Sequence, residues 1–212
     1  MASELVLYGD STWLSPWVFH VMVALEELRA SYRLEALAMP IPADRRAELQ
    51  RHAVLGKVPC LRDGDVWLTE SSAISEYLAE RFAPPAHPRI LPAPLVERAR
   101  ARQVMSWLRT SLMGLREDRP TTSVFQRPVT KPLSDSAKAD AAEVVRVTEQ
   151  LLAPGATTLF GQWCIADADL ALMLMRLVAN NDPVPQRIVD YALAQWGRPS
   201  VRKFLAYIPT TS

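Results

Sequence analysis

The sequence predicts two domains of different class, a small α/β domain followed by an all-α helical bundle. Three observations carry this. Up to residue 83, short strand-like runs alternate with helical ones. After residue 94 only helical periodicity is present. Between them runs APPAHPRILPAP, where Pro84, Pro85, Pro88, Pro92 and Pro94 forbid a helix and stiffen a connection. The predicted boundaries are 1–83, a proline-rich linker at 84–94, and 95–212.

Residues 5–8 form a short apolar strand. Residues 16–29 read as a helix: Pro16 suits the first helical position, and Val18, Met22, Leu25 and Leu28 share one face. A second strand follows at 32–38 and a weaker, polar helix at 44–51. Runs 58–62 and 66–69 flank Asp63-Gly64, a hairpin signal. Ser71 or Ser72 can cap a last helix, in which Ile74, Leu78 and Phe82 recur every four residues. The predicted order is β-α-β-α-β-β-α. In the second half, 95–117 reads as one long helix with Met105, Leu108 and Leu112 on one face. Pro120, Pro128 and Pro132 mark a loop. Ser134 can cap a helix to residue 152, with Ala137, Ala141, Val144, Thr148 and Leu151 inward, and Pro154-Gly155 ends it. Residues 165–180 are apolar nearly all round, as the central helix of a bundle must be. Helices at 186–196 and 199–207 complete the bundle.

Composition narrows the function. With 212 residues, 49% hydrophobic and 22% charged, the chain is neither disordered nor too short for a core. Lys+Arg is 24 against 23 for Asp+Glu, so the basic excess expected of a nucleic-acid binder is missing. Two cysteines, Cys60 and Cys164, make no disulfide framework, and with His20, His52 and His87 scattered no metal-ligand spacing exists. The most apolar run, 170–178, contains Arg176 and is far short of the ~20 residues a membrane span needs. MASELVLYGD shows no signal-peptide pattern, so a reducing cytoplasm is expected.

Three stretches can carry chemistry. Ser15-Pro16 stands at the entry to the first helix. Ser15 is either a simple N-cap, or a hydroxyl that also donates to a ligand thiolate at the positive end of the helix. A hydrolytic role is excluded: His20 lies five residues on along the same helix, and no G-x-S-x-G elbow exists. Val58-Pro59 begins a strand. It reads either as an edge strand tolerating proline, or as a cis bond that lets Val58 offer its backbone to an extended peptide, with Lys57 beside it for a carboxylate. Thr69-Glu70-Ser71-Ser72 enters the third helix. It reads as a cap with an acidic first turn, or as an amino-acid head-group site in which Ser71 meets a carboxylate and Glu70 an ammonium. Cys60 reads as a small buried hydrophobe. Arg98, Arg100 and Arg102 spread over different helix faces and read as surface.

In this order and on these elements, the motifs resemble the cytosolic glutathione transferase family over essentially the whole chain. They are S-P-W at 15–17, G-K-V-P at 56–59, E-S-S-A-I-x-E-Y-L at 70–78 and C-I-A-D at 164–167. R-A-R-A-R-Q-x-x-x-W-L-R from Arg98 and W-C-I-A-D look similar to a serine-type bacterial branch exemplified by the enterobacterial protein YfcF. The resemblance implies a thioredoxin-like N-terminal domain binding glutathione as co-substrate, without a further cofactor or metal. It implies that Ser15 holds the thiolate and that Val58, before a cis Pro59, pairs with the cysteinyl backbone. Glu70 and Ser71 would hold the γ-glutamyl end, and Lys57 would sit near the glycyl carboxylate. A small hydrophobic electrophile or hydroperoxide would lie between the domains against Trp13, Leu14 and Trp107. The implied activity is conjugation, with hydroperoxide reduction as a second reaction, in a cytoplasmic homodimer that contacts neither nucleic acid nor membrane. The competing readings are a non-catalytic binding protein and a thiol-disulfide or deglutathionylating enzyme. The sequence departs from the pattern in two places. His52-Ala53-Val54-Leu55 replaces the family's frequent Asn-Pro, and Cys164 replaces a Ser or Thr cap, for which either packing or Asp167 bonding back to the cap backbone is expected to compensate. Tyr8 stands near the catalytic tyrosine of other classes.

Overall fold

The computed structural model describes residues 4–209. The chain divides into two compact units, one up to Ile90 and one from Leu91 onward.

The first unit is a four-stranded sheet of order β2-β1-β3-β4, built from β1 (Leu5–Asp10), β2 (Tyr32–Leu37), β3 (Cys60–Asp63) and β4 (Val66–Thr69). β1 pairs parallel with β2, Leu5 opposite Tyr32, and antiparallel with β3, Tyr8 opposite Cys60. Helix α1 (Pro16–Glu27) makes the crossover that a parallel pair requires and packs on α3 (Ser71–Arg81). Helix α2 (Ala43–Ala53) contributes Leu49 and Ala53 to a cluster with Val6, Tyr8 and Cys60. Every β1 residue is buried, as in a strand covered on both faces.

The element order is the predicted one, with three local corrections here. β3 starts at Cys60, so Val58 and Pro59 belong to the loop entering it, and β3 lies between β1 and β4. An edge strand therefore does not explain Pro59; the Val58–Pro59 bond is cis. Neither Ser71 nor Ser72 caps α3. Glu70 occupies that position with φ +68°, no side chain makes a cap bond, and Ser71 is the first helical residue.

The second unit is entirely helical. The predicted long helix at 95–117 is two helices, α4 (Leu95–Thr110) and α5 (Met113–Asp118), separated by Leu112 in the left-handed region at φ +61°. A short α6 (Thr121–Phe125) follows Pro120. Then come α7 (Asp135–Leu151), capped by Ser134, α8 (Ile165–Val178), α9 (Gln186–Trp196) and α10 (Pro199–Leu205). α8 is buried without interruption from Ile165 to Leu177, and α4 and α9 pack against it. At its start Asp167 accepts the Cys164 N–H at 2.9 Å, the second of the two compensations expected for a cysteine cap. Its other oxygen takes the Leu159 N–H at 2.9 Å and the Tyr191 hydroxyl at 2.8 Å. No helix among the described residues is long and apolar enough to cross a membrane.

Candidate functional site

The site grows out of the end of β1. Asp10, 3% exposed, turns its carboxylate into the following loop. Oδ2 accepts the Thr12 hydroxyl at 2.5 Å and the Leu14 N–H at 2.9 Å. Trp13, between those two donors, is buried and adopts φ +57°. A non-glycine residue held there costs roughly 1–3 kcal/mol, which the surrounding contacts must offset. The loop delivers Ser15 to the N-terminus of α1. Ser15 Oγ accepts the Val18 N–H at 3.3 Å, and Pro16 opens the helix without an amide hydrogen. Capping uses one lone pair of the hydroxyl, so its own hydrogen remains to donate. α1 has no acidic residue in its first turn to offset the partial positive charge at that end.

Ser15 opens onto a cavity of about 450 Å³ within the first unit. Leu14, Lys57 and Val58 line it too, so sequence-distant candidates converge on one space. Pro59 is buried directly behind Val58. Lys57 Nζ stands 3.9 Å from Glu70 Oε1, with both side chains more than half exposed. Such a pair is worth about 0–1 kcal/mol, so a ligand can claim either charge. Ser71, 4% exposed, follows Glu70 into α3. Trp107 is half-buried on α4 in the second unit.

The cavity also contains residues that motif reading missed, chiefly Arg46 from α2 and Met39, Pro40 and Ile41 after β2. Arg46 is exposed and has no ion-pair partner among the described residues. Its stem passes so close to Gly56 that a Cβ there would lie 2.6 Å from Arg46 Cγ and 3.2 Å from Arg46 O. Gly56 in the G-K-V-P run thus lets α2 and its arginine approach the cavity. Nothing local in the sequence announces that contact.

Two other reactive groups are placed outside the cavity lining. The Tyr8 ring stacks on Trp67 at 5.4 Å, in the core cluster with Leu37, Leu49 and Cys60. Burial, reinforced by the charge of Glu35, raises its phenol above the ordinary range, opposite to an activated hydroxyl. Burial likewise pushes the Cys60 thiol up to about 12, so it stays protonated and inert at neutral pH.

A family model described as the glutathione S-transferase N-terminal domain matches residues 14–81, and one for the C-terminal domain of the same family matches residues 94–209. The chain belongs to the glutathione S-transferase family. Glutathione S-transferase 3 of Zea mays is 29% identical over 221 residues, covering 98% of this chain and 96% of that protein. Among solved structures, a glutathione transferase homologue from Burkholderia gl BGR1 with bound glutathione superposes at a TM-score of 0.80. It is 31% identical, over 97% of this chain and 98% of that one. A glutathione S-transferase from Rhodospirillum rubrum F11 gives a TM-score of 0.71 at 25% identity, over 98% and 94%. The two units of this transferase are therefore the thioredoxin-like and helical domains of the family, and the protein is an enzyme of that class.

Proposed function

We propose that this transferase binds glutathione in the 450 Å³ cavity and activates its thiol through Ser15, as in the serine-type bacterial branch of the family. One observation carries the reading: the Ser15 hydroxyl, at the N-terminus of α1, opens into the same cavity as Lys57 and Val58. Val58 pairs with the cysteinyl backbone. Glu70 meets the γ-glutamyl ammonium and Ser71 its carboxylate. Lys57, joined by the unpaired Arg46, meets the glycyl carboxylate.

A free alkyl thiol titrates near ~8.5 and is mostly protonated at neutral pH. Lowering it by about two units makes the thiolate dominant and needs about 2.7 kcal/mol of differential stabilisation. A hydroxyl donor and a helix end supply an effect of that size. The thiolate lone pair then forms a C–S bond to a small hydrophobic electrophile. The displaced electron pair leaves with a halide-type group or takes a proton at an activated double bond. With an organic hydroperoxide the same thiolate attacks the terminal oxygen. The O–O bond breaks, the alkoxide leaves and takes a proton from solvent to become an alcohol, and a second glutathione converts the sulfenic acid to disulfide and water. Trp13 and Leu14 are the apolar side chains of the first unit that we assign to the second substrate. We infer a cytoplasmic homodimer.

Two features disfavour the alternatives. Ser15, Glu70 and Ser71 are all retained, unlike in a protein that has lost catalysis, and position 15 is not the cysteine that thiol-disulfide exchange requires. The test is the pH–rate profile of glutathione conjugation. Ser15→Ala is expected to cut turnover at neutral pH by about ten- to a thousand-fold, with glutathione binding little changed. Glu70→Ala and Ser71→Ala are expected to raise KM for glutathione instead. Identical profiles for wild type and Ser15→Ala, with unchanged KM in both head-group variants, would refute the assignment.

A further inference from the structure

Ser15 acts only if its hydroxyl is held at one place in the cavity, and five positions upstream a buried carboxylate ties down the loop that leads to it. Asp10 ends β1 and is sealed from solvent. A single oxygen, Oδ2, gathers the Leu14 N–H at 2.9 Å and the Thr12 hydroxyl at 2.5 Å. The Asp10 carbonyl also takes the Trp13 N–H at 3.3 Å, and the Ser11 N–H is tied to Leu37 O of β2 at 2.8 Å. Trp13, in the left-handed region, has no intrinsic reason to remain there. Removing the carboxylate takes away the Leu14 and Thr12 bonds on either side of Trp13, and the strained backbone there can relax towards an extended conformation. The peptide at Leu14 then rotates, and Ser15 is the next residue.

We propose that Asp10 is a positioning residue for catalysis, whose buried carboxylate locks loop 11–14 so that Ser15 Oγ points at the glutathione sulfur. This rests on the reading of Ser15 given under Proposed function. Asp10 acts through Leu14 and Ser15 and touches no reacting atom. The short side chain matters as well as the charge: one more methylene would carry the acceptor past the Leu14 amide. Asparagine keeps an acceptor for Leu14 N–H. However, its amide NH₂ takes the place of Oδ1, which is buried without a hydrogen-bond partner, so its rescue is partial.

The experiment is a double-mutant cycle of Asp10→Ala and Ser15→Ala, with Asp10→Asn beside it. Conjugation of glutathione to a chlorodinitrobenzene gives kcat and KM, and the ultraviolet absorbance of bound thiolate against pH gives the thiol titration. Asp10→Ala is expected to lower kcat about ten- to a hundred-fold, the loss a displaced catalytic group produces, and to move the thiol titration upward. KM for glutathione should change little. In the Ser15→Ala background the same substitution should cost nothing further, because the group it positions is gone. Asp10→Asn should recover only part of the lost kcat and stay measurably below wild type. Losses that multiply across the cycle, or an Asp10 effect confined to KM, overturn the proposal. If Asp10→Ala does not fold, Asp10→Asn replaces it in the cycle. A wild-type kcat for that variant, or a loss that multiplies with Ser15→Ala, then assigns Asp10 to folding alone. The two readings fail separately. Absence of bound thiolate in the wild type removes the Ser15 reading and this one with it, whereas a Ser15-dependent titration with additive Asp10 losses removes only this one.

Discussion

Replacing Asp167 with alanine tests how the helical domain is held together. The carboxylate is wholly buried at the start of α8 and accepts three donors: the Leu159 N–H, the Cys164 N–H and the Tyr191 hydroxyl. Burial pushes its carboxyl up, and the bonds from Cys164, Leu159 and Tyr191 pull it back. Alanine strands all three donors where water does not reach. A hydrogen bond to a charged group contributes about 1.5–3 kcal/mol, so three give about 4.5–9 kcal/mol. A typical domain has only about 5–15 kcal/mol in total, so Asp167→Ala should leave the helical domain unfolded or close to it. Tyr191→Phe removes a single donor and should cost about 1.5–3 kcal/mol. The assay is urea unfolding followed by far-ultraviolet circular dichroism, comparing midpoints and slopes for wild type and both variants. A loss below about 1.5 kcal/mol for Asp167→Ala, the value of one such bond, would refute the account of the α8 terminus.

Two further outcomes follow from packing and burial. Gly56→Ala places a Cβ 2.6 Å from Arg46 Cγ and 3.2 Å from Arg46 O. α2 must therefore retreat, at a cost of about 1–3 kcal/mol in thermal or urea unfolding. KM for glutathione should rise as Arg46 withdraws; unchanged stability and KM would show that α2 has room to spare. The second concerns alkaline stability. Burial holds the Cys60 thiol up to about 12 in the folded chain, whereas an unfolded thiol titrates near ~8.5. The folded state keeps its proton longer, so this contribution is intact below about pH 8.5 and is lost as pH rises towards 12. Cys60→Ala should flatten the fall of Tm with pH above that point, and equal slopes in the two proteins would count against it.

Legibility tracked the range of the interaction involved. Ser15 was readable because Ser-Pro specifies a cap and a first turn within four residues, and the Val18 N–H closes that cap. The apolar stretch that became α8 was readable because a helix surrounded by others has no polar face to show. Tyr8 was not resolvable in the same way. A strand buried on both faces carries no alternation to say which side chain meets which layer, and only the pairing with Cys60 and the stack on Trp67 decide it.

The sequence by itself determined the class of each half, the order of elements in the first and the motifs that name the family, because propensity, periodicity and turn chemistry act over a few residues. Tertiary structure alone decided where the helix after the linker breaks. Neither proline nor glycine marks Leu112. The break is completed by Asp140 of α7, which accepts the Leu115 N–H at 3.0 Å across 25 residues of chain. At Gly114 a Cβ would lie 2.7 Å from Ser136 Oγ, so α5 and α7 meet at a contact that no local pattern encodes. The cavity has the same origin. Asp10 and Ser15, Arg46, and Lys57 come from three separate stretches of chain, and their convergence depends on the pairing of β1 with β2 and β3 and on α2 lying close over Gly56. Cross-strand register and helix approach are settled by burying apolar surface between distant segments. The local code therefore supplied the reactive residues, and the packed fold supplied the space in which they act together.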